Sequence, residues 1–175
     1  MKFIPTPLPG LMVIELEQQA DERGFFARSW CGEEFIKNGL NPRLAQCNIS
    51  FNARRGTLRG LHYQSDPHAE AKLVRCTMGK IFDVAVDIRP ESDHYLGWFG
   101  IELSAENRRA LYIPEGFAHG FQTLTDNAEV FYQMAESYYP DLARGLRYDD
   151  PKIGILWPIS DNIIISDRDL SYTKI

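Results

Sequence analysis

Apolar and polar residues alternate with period two through most of this chain, the pattern of strands that bury one face. IFDVAVDIRP is the clearest case: Phe82, Val84, Val86 and Ile88 fall on one face, and Asp83, Ala85 and Asp87 on the other. That assignment puts the Asp83 carboxylate inside or beside a concave sheet surface. LMVIELE, the aromatic stretch behind the Asp-Glu-Arg-Gly turn, RLAQCNISFN, GTLRGLHYQ, KLVRC, WFGIELS, LYIP, HGFQTL and EVFYQM also read as strands. Turns separate them at Met78-Gly79-Lys80, Glu115-Gly116 and Asp126-Asn127. One helix is expected, GEEFIKNGL, with acids in its first turn and Asn38-Gly39 as its stop. Short strands with turn signals about every 8–12 residues predict an all-β sandwich or barrel. No repeat, low-complexity tract or linker interrupts the pattern, so a single domain over residues 1–175 is expected.

Composition narrows the classes of partner. A chain of 175 residues that is 44% hydrophobic can bury a sizeable core. Its net charge of -5 comes with lysines and arginines scattered among acids, without the basic stripe that tracks a nucleic-acid backbone. Pro5, Pro7 and Pro9 interrupt the N-terminal apolar stretch, and no apolar run is long enough to span a bilayer. A soluble, cytoplasmic protein with neither nucleic-acid nor membrane partners is expected. Cys31, Cys47 and Cys76 are odd in number and lack C-x-x-C spacing, so they read as reduced core thiols rather than as a disulfide framework or a zinc site.

Candidate chemistry concentrates in GTLRGLHYQ. Strict alternation puts Leu58, Gly60, His62 and Gln64 on one face, and Thr57, Arg59, Leu61 and Tyr63 on the other. The loop SDPHAEA, read as exposed, leads to Lys72 at the head of KLVRC, and PEGFAHGF supplies His119 after a turn. Taken singly, His62 reads as a hydrogen-bonded core histidine and Lys72 as a surface charge. Two histidines and a lysine together instead ask for one pocket. The C-terminal Asp167-Arg168-Asp169 cluster, read alone, is a solvated terminus that could fold back to orient a histidine.

The spacing of Gly56, His62-x-Gln64 and Gly79, followed by Pro114-x-Gly116-x-x-His119, resembles the two motifs of the cupin jelly roll. Where a metal cupin would offer His and Glu, this chain has Gln64 and, further on, Lys72. A cation repels a metal ion rather than ligating it, so a pocket without metal or other cofactor is expected. RGLHYQ, AKLVRC, DVAVDIRPES, ALYIPEGFAHGF, AEVFYQM and Ser166-x-Arg168-Asp169 together resemble the dTDP-4-dehydrorhamnose 3,5-epimerase family over about Asp21 to Asp169. The resemblance implies an all-β cupin fold, a double-stranded β-helix with a few short peripheral helices, assembled as a homodimer. It further implies inversion at C3 and C5 of a nucleotide-linked 4-keto-6-deoxyhexose, in deoxysugar and cell-surface polysaccharide biosynthesis.

By that resemblance His62 is the base and Asp169 its carboxylate partner. Lys72 sits at the C4 oxygen with Asp83 positioning the ammonium, and Tyr132 reprotonates the opposite face. Arg23, Phe26, Arg28, Gln46, Asn48, Arg59, His119, Tyr138 and Arg168 line the sugar and nucleotide-diphosphate site. Two departures bear on the substrate: Arg28 stands where the family has a glutamate in the nucleotide region, and Asn52 where a serine is usual. The arginine at 168 replaces a lysine and keeps the charge. These leave the nucleotide open between dTDP, CDP and GDP, and the epimerisation open between C3, C5 and both. Two other classes stand beside this reading: a 3,4-ketoisomerase of related fold, and a non-catalytic sugar-nucleotide-binding cupin. Retention of His62, Lys72, Tyr132 and Asp169 disfavours the latter.

Overall fold

Residues 1–175 are all described by the computed structural model. The strands are β1 (Lys2–Pro5), β2 (Met12–Glu15), β3 (Gln19–Asp21), β4 (Gly24–Phe26), β5 (Gln46–Asn52), β6 (Leu58–Gln64) and β7 (Lys72–Met78). They continue as β8 (Lys80–Asp87), β9 (Trp98–Ser104), β10 (Ala110–Ile113), β11 (Phe117–Thr123), β12 (Ala128–Met134) and β13 (Ala143–Gly145). Two short helices, α1 (Gly32–Lys37) and α2 (Asp167–Leu170), sit outside them. A six-stranded sheet runs β1-β2-β10-β7-β12-β5, a five-stranded sheet runs β13-β6-β11-β8-β9, and β3 pairs with β4 in a separate hairpin. All strand pairings within these sheets are antiparallel.

Three apolar layers explain why several central strands are buried on both faces. The largest lies between the sheets, with Val74, Leu111, Ile113 and Val130 from one sheet against Ile81, Ala85, Leu103, Phe117 and Phe121 from the other. Each of these valine, leucine, isoleucine and phenylalanine side chains contributes about 1.5–3 kcal/mol on burial. Outside the six-stranded sheet, Phe35 of α1 packs on Ile14, Leu73 and Tyr112. Outside the five-stranded sheet, Leu61, Val84, Val86 and Ala118 are covered by Leu146, Ile153, Ile155 and Trp157. The period-two assignment of β8 therefore holds: Ala85 faces the intersheet layer, and Val84 and Val86 face the outer one.

β6 departs from strict alternation. His62 pairs with His119 of β11, but Arg59 pairs with Phe121, so three steps along β6 match two along β11. This bulge brings Arg59 and His62, expected on opposite faces, into one cleft. Gly60 makes it sterically feasible: its φ is +123°, and a Cβ there would lie 2.6 Å from the Gly120 Cα. The cysteines also differ from expectation. Only Cys76 is buried, and burial pushes its thiol up to about 11, whereas Cys47 is exposed and Cys31 half-buried.

Candidate functional site

A cleft of about 280 Å³ opens between the sheets and is lined by Asn48, Arg59, His62, Lys72, His119 and Tyr132. The two sheets divide this set. Arg59, His62 and His119 come from the five-stranded sheet, while Asn48, Lys72 and Tyr132 come from the six-stranded sheet. A second cleft of about 170 Å³ shares His62 and Met134 with the first and adds Gln64, Glu70, Tyr138, Arg144 and Arg168. His62 stands where the two meet.

The tail reaches His62 through backbone pairing. Ile164 lies beside the start of β6 as an isolated parallel bridge with Thr57, its N–H donating to the Gly56 carbonyl and its carbonyl accepting from Leu58. Ser166 then caps α2, its hydroxyl accepting from the Asp169 N–H at 3.2 Å. One turn later Asp169 meets His62, with Nε2 to Oδ1 at 2.7 Å, while Oδ2 accepts the Gly60 N–H at 3.1 Å. An ionised carboxylate only accepts hydrogen bonds, so the neutral ring carries its hydrogen on Nε2 and its lone pair on Nδ1. Burial alone would push the Asp169 carboxyl up. The hydrogen bonds from His62 and Gly60 outweigh it and hold the group below the usual carboxylate range.

This shift has a measurable consequence. Asp169 binds its proton less readily folded than unfolded, so its stabilisation is complete above the ordinary carboxylate value of about 3.9 and is lost as pH falls through the lower folded value. Asp169→Asn should therefore melt with a shallower loss of stability than the parent between about pH 4 and 2, as read by thermal unfolding at stepped pH. Identical acid limbs for the two proteins would contradict the assigned carboxylate.

His119 and Asp83 form a second, deeper pair, Nε2 to Oδ1 at 2.8 Å, with both side chains almost wholly buried. This corrects the expected Asp83–Lys72 contact. Asp83 of β8 pairs directly with Phe121 of β11, which makes His119, two residues earlier on the same face, its diagonal neighbour. Lys72 instead pairs with Glu70 at 2.9 Å and lies 3.5 Å from the His62 carbonyl oxygen. Tyr132 stands edge-on to His119, with ring centroids 6.0 Å apart. Burial, reinforced by the charge of Asp83, holds its phenol far above the ordinary value, so it remains a proton donor at neutral pH.

Of the remaining expected residues, Arg59 lies in the cleft with its Nε donating to the Asn52 Oδ1 at 2.7 Å, which gives the unusual Asn52 a concrete task. Gln46 holds the edge of the second cleft by accepting the Tyr138 N–H at 3.1 Å. Gln64, where a metal cupin carries its second histidine, is spent on loop backbone: it donates to the carbonyls of His68 and Ser137 and accepts from the Tyr139 N–H. No group of three or more His, Cys, Asp or Glu side chains is arranged to hold a metal ion.

Arg23, Phe26 and Arg28 line neither of these clefts within the single chain. Arg23 pairs with Asp21 at the tip of the β3–β4 hairpin, and Arg28 pairs with Glu34 of α1 at 2.9 Å. Phe26 is 74% exposed. Glu70 is the cleft residue the pattern missed. It precedes Lys72 by two positions, the spacing that shares a face, but lies in a loop read as exposed.

A family model described as dTDP-4-dehydrorhamnose 3,5-epimerase matches residues 5–175. A dTDP-4-dehydrorhamnose 3,5-epimerase of Methanothermobacter thermautotrophicus is 48% identical over 98% of this chain and 92% of its own length. Among solved structures, the dTDP-4-dehydrorhamnose 3,5-epimerase of Elizabethkingia anophelis NUHP1 superposes with a TM-score of 0.97 at 39% identity, covering 99% of this chain and 96% of its own. The Legionella pneumophila dTDP-6-deoxy-D-glucose-3,5-epimerase, solved in complex with dTDP-4-keto-L-rhamnose, superposes with a TM-score of 0.93 at 38% identity, covering 99% of this chain and 92% of its own.

Proposed function

This chain belongs to the dTDP-4-dehydrorhamnose 3,5-epimerase family of cupin jelly rolls, and from that premise we propose that it converts dTDP-4-dehydro-6-deoxy-D-glucose into dTDP-4-dehydro-L-rhamnose. The observation that carries this reading is the division of the cleft: the histidine with a free lone pair comes from one sheet and the protonated tyrosine from the other. Inverting a carbon requires a base on one face of the ring and an acid on the opposite face. A sugar lying between the sheets meets both.

The C4 ketone acidifies the protons at C3 and C5. His62 Nδ1 takes one of them, becoming an imidazolium that Asp169 stabilises, and the carbon electron pair moves into the ring to leave negative charge on the C4 oxygen. The Lys72 ammonium stabilises that charge, which exists only in the enolate-like state and its flanking transition states. Tyr132 then donates its phenolic proton to the other face, and exchange with water restores both side chains. No step draws on a redox partner or a metal ion. Arg59 offers a guanidinium to the diphosphate, with Arg168 and Tyr138 flanking the second cleft.

Arg23, Phe26 and Arg28 fit this reading through a second copy of the chain. Their hairpin leaves Phe25 and Phe26 exposed and lies outside its own cleft, which supports a homodimer whose hairpin reaches the partner's nucleotide. The reaction is assigned to the cytoplasm, where it supplies deoxysugars for surface polysaccharide. No helix of the chain is long and apolar enough to cross a membrane.

The test is incubation with the dTDP-, CDP- and GDP-linked 4-keto-6-deoxyhexoses, following ring stereochemistry by proton NMR. Inversion of both centres is expected with the dTDP sugar at a kcat/KM at least about tenfold above the other two, an advantage of about 1.4 kcal/mol. A preference for the CDP or GDP sugar would overturn the nucleotide, and inversion at one carbon alone would overturn the double epimerisation.

A further inference from the structure

Glu70 is a buried carboxylate for which the catalytic reading has no role. Its side chain is 8% exposed, Oε1 lies 2.9 Å from the Lys72 ammonium, and Lys72 is itself 7% exposed. Oε2 is buried and has no hydrogen-bond partner. Lys72 makes no other ion pair, and its one further polar contact is the distant His62 carbonyl. A buried ammonium without a counter-ion is costly and sheds its proton readily. Resting on the epimerase reading above, we propose that Glu70 is the positioning residue for Lys72, holding the ammonium charged and aimed at the C4 oxygen from the side opposite the substrate.

The geometry favours this over a merely structural pair. Glu70 and Lys72 sit two residues apart, so the alternation of β7 extended backwards puts both on one face. Glu70 lines the second cleft and Lys72 the first, so the pair bridges the two on either side of His62. The other charged or titratable groups around the pair are Arg59, His62 and Tyr63 of β6 with Asp169 behind His62, His119 of β11 with Asp83 of β8 behind it, Tyr132 of β12, Arg43 and Tyr112 on the outer side of Lys72, and Tyr138, Arg144 and Arg168 across the second cleft. Of the three carboxylates here, Glu70 alone pairs with Lys72; Asp169 is bonded to His62, and Asp83 to His119 through Oδ1, its Oδ2 buried without a partner.

Glu70→Gln keeps the shape and one oxygen acceptor but removes the charge. With the dTDP-linked 4-keto sugar, kcat should fall roughly 10- to 100-fold, the loss expected for a hydrogen bond to a charged group, while KM stays within about threefold. The alkaline limb of kcat/KM should also move to lower pH, and Glu70→Asp should recover part of the rate. A readout independent of turnover is the ¹³Cε resonance of Lys72, assigned by its loss in Lys72→Met. Its titration midpoint should fall in Glu70→Gln and stay near the parent value in Glu70→Asp. A parent-like pH profile and Lys72 titration in Glu70→Gln would overturn the proposal, as would equal activity losses in the Gln and Asp variants that track their melting temperatures alone. Failure of the parent protein to turn over the sugar would instead overturn the epimerase reading, since the Lys72 resonance can be titrated without substrate.

Discussion

His62→Ala should show no deuterium uptake at C3 or C5 when incubated with the 4-keto sugar in deuterated water. General base catalysis typically contributes about 10²–10⁴-fold, and here the same ring serves both carbons, so neither exchange should survive at a measurable fraction of the parent rate. Nucleotide-sugar affinity should stay within a few-fold. Arg59, Lys72 and Arg168 line the two clefts, and none of their side chains is held by the imidazole. Asp169 keeps its Gly60 and Ser166 hydrogen bonds in the variant, so the tail should remain docked. Exchange that persists at either carbon would mean that another group removes that proton, with His119 the nearest imidazole.

Tyr132→Phe should separate deprotonation from inversion. The change removes a phenolic oxygen and leaves the ring in contact with His119 and Phe121, so the cleft keeps its shape. His62 can still remove a proton and return a deuteron on its own face. Net epimerisation should fall by about 10²–10⁴-fold while exchange with solvent continues, so label enters without change of configuration. Product stereochemistry and deuterium content, read together by NMR, measure this split. Inversion of both centres at parent rates would reduce Tyr132 to a packing residue.

How legible the site is in the sequence depends on how regular the local backbone is. β8 obeys simple alternation, so Asp83 could be placed on the inner surface from its neighbours alone. β6 does not, because a bulge at Gly60 turns Arg59 and His62 the same way, and period two has no means of counting an extra residue opposite Gly120. The Asp83–His119 pair is a matter of register between β8 and β11, set by strand pairing at long range. Asp169 lies 107 residues from His62 in the chain and reaches it through the Ile164–Thr57 bridge. Nothing in the periodicity of the tail marks that docking: the acidic cluster read alone is a solvated terminus that could fold back on a histidine, and the family resemblance made Asp169 and His62 the pair. Glu70 could have been found from its parity with Lys72, but the polar composition of SDPHAEA outweighed that signal.

The central claim is that base and acid approach the sugar from facing sheets, with the C4 oxygen on Lys72. The most direct test is a crystal structure with the dTDP-linked 4-keto sugar bound to the Tyr132→Phe protein, which slows turnover while preserving the cleft. The account predicts His62 Nδ1 about 3–3.5 Å from C3 or C5 on one face of the ring, a near-attack geometry for proton removal. It also predicts the edge of the substituted aromatic ring against the opposite face, and the Lys72 ammonium on the C4 oxygen. A sugar bound with both side chains on the same face, or with its C4 oxygen turned away from Lys72, would contradict it.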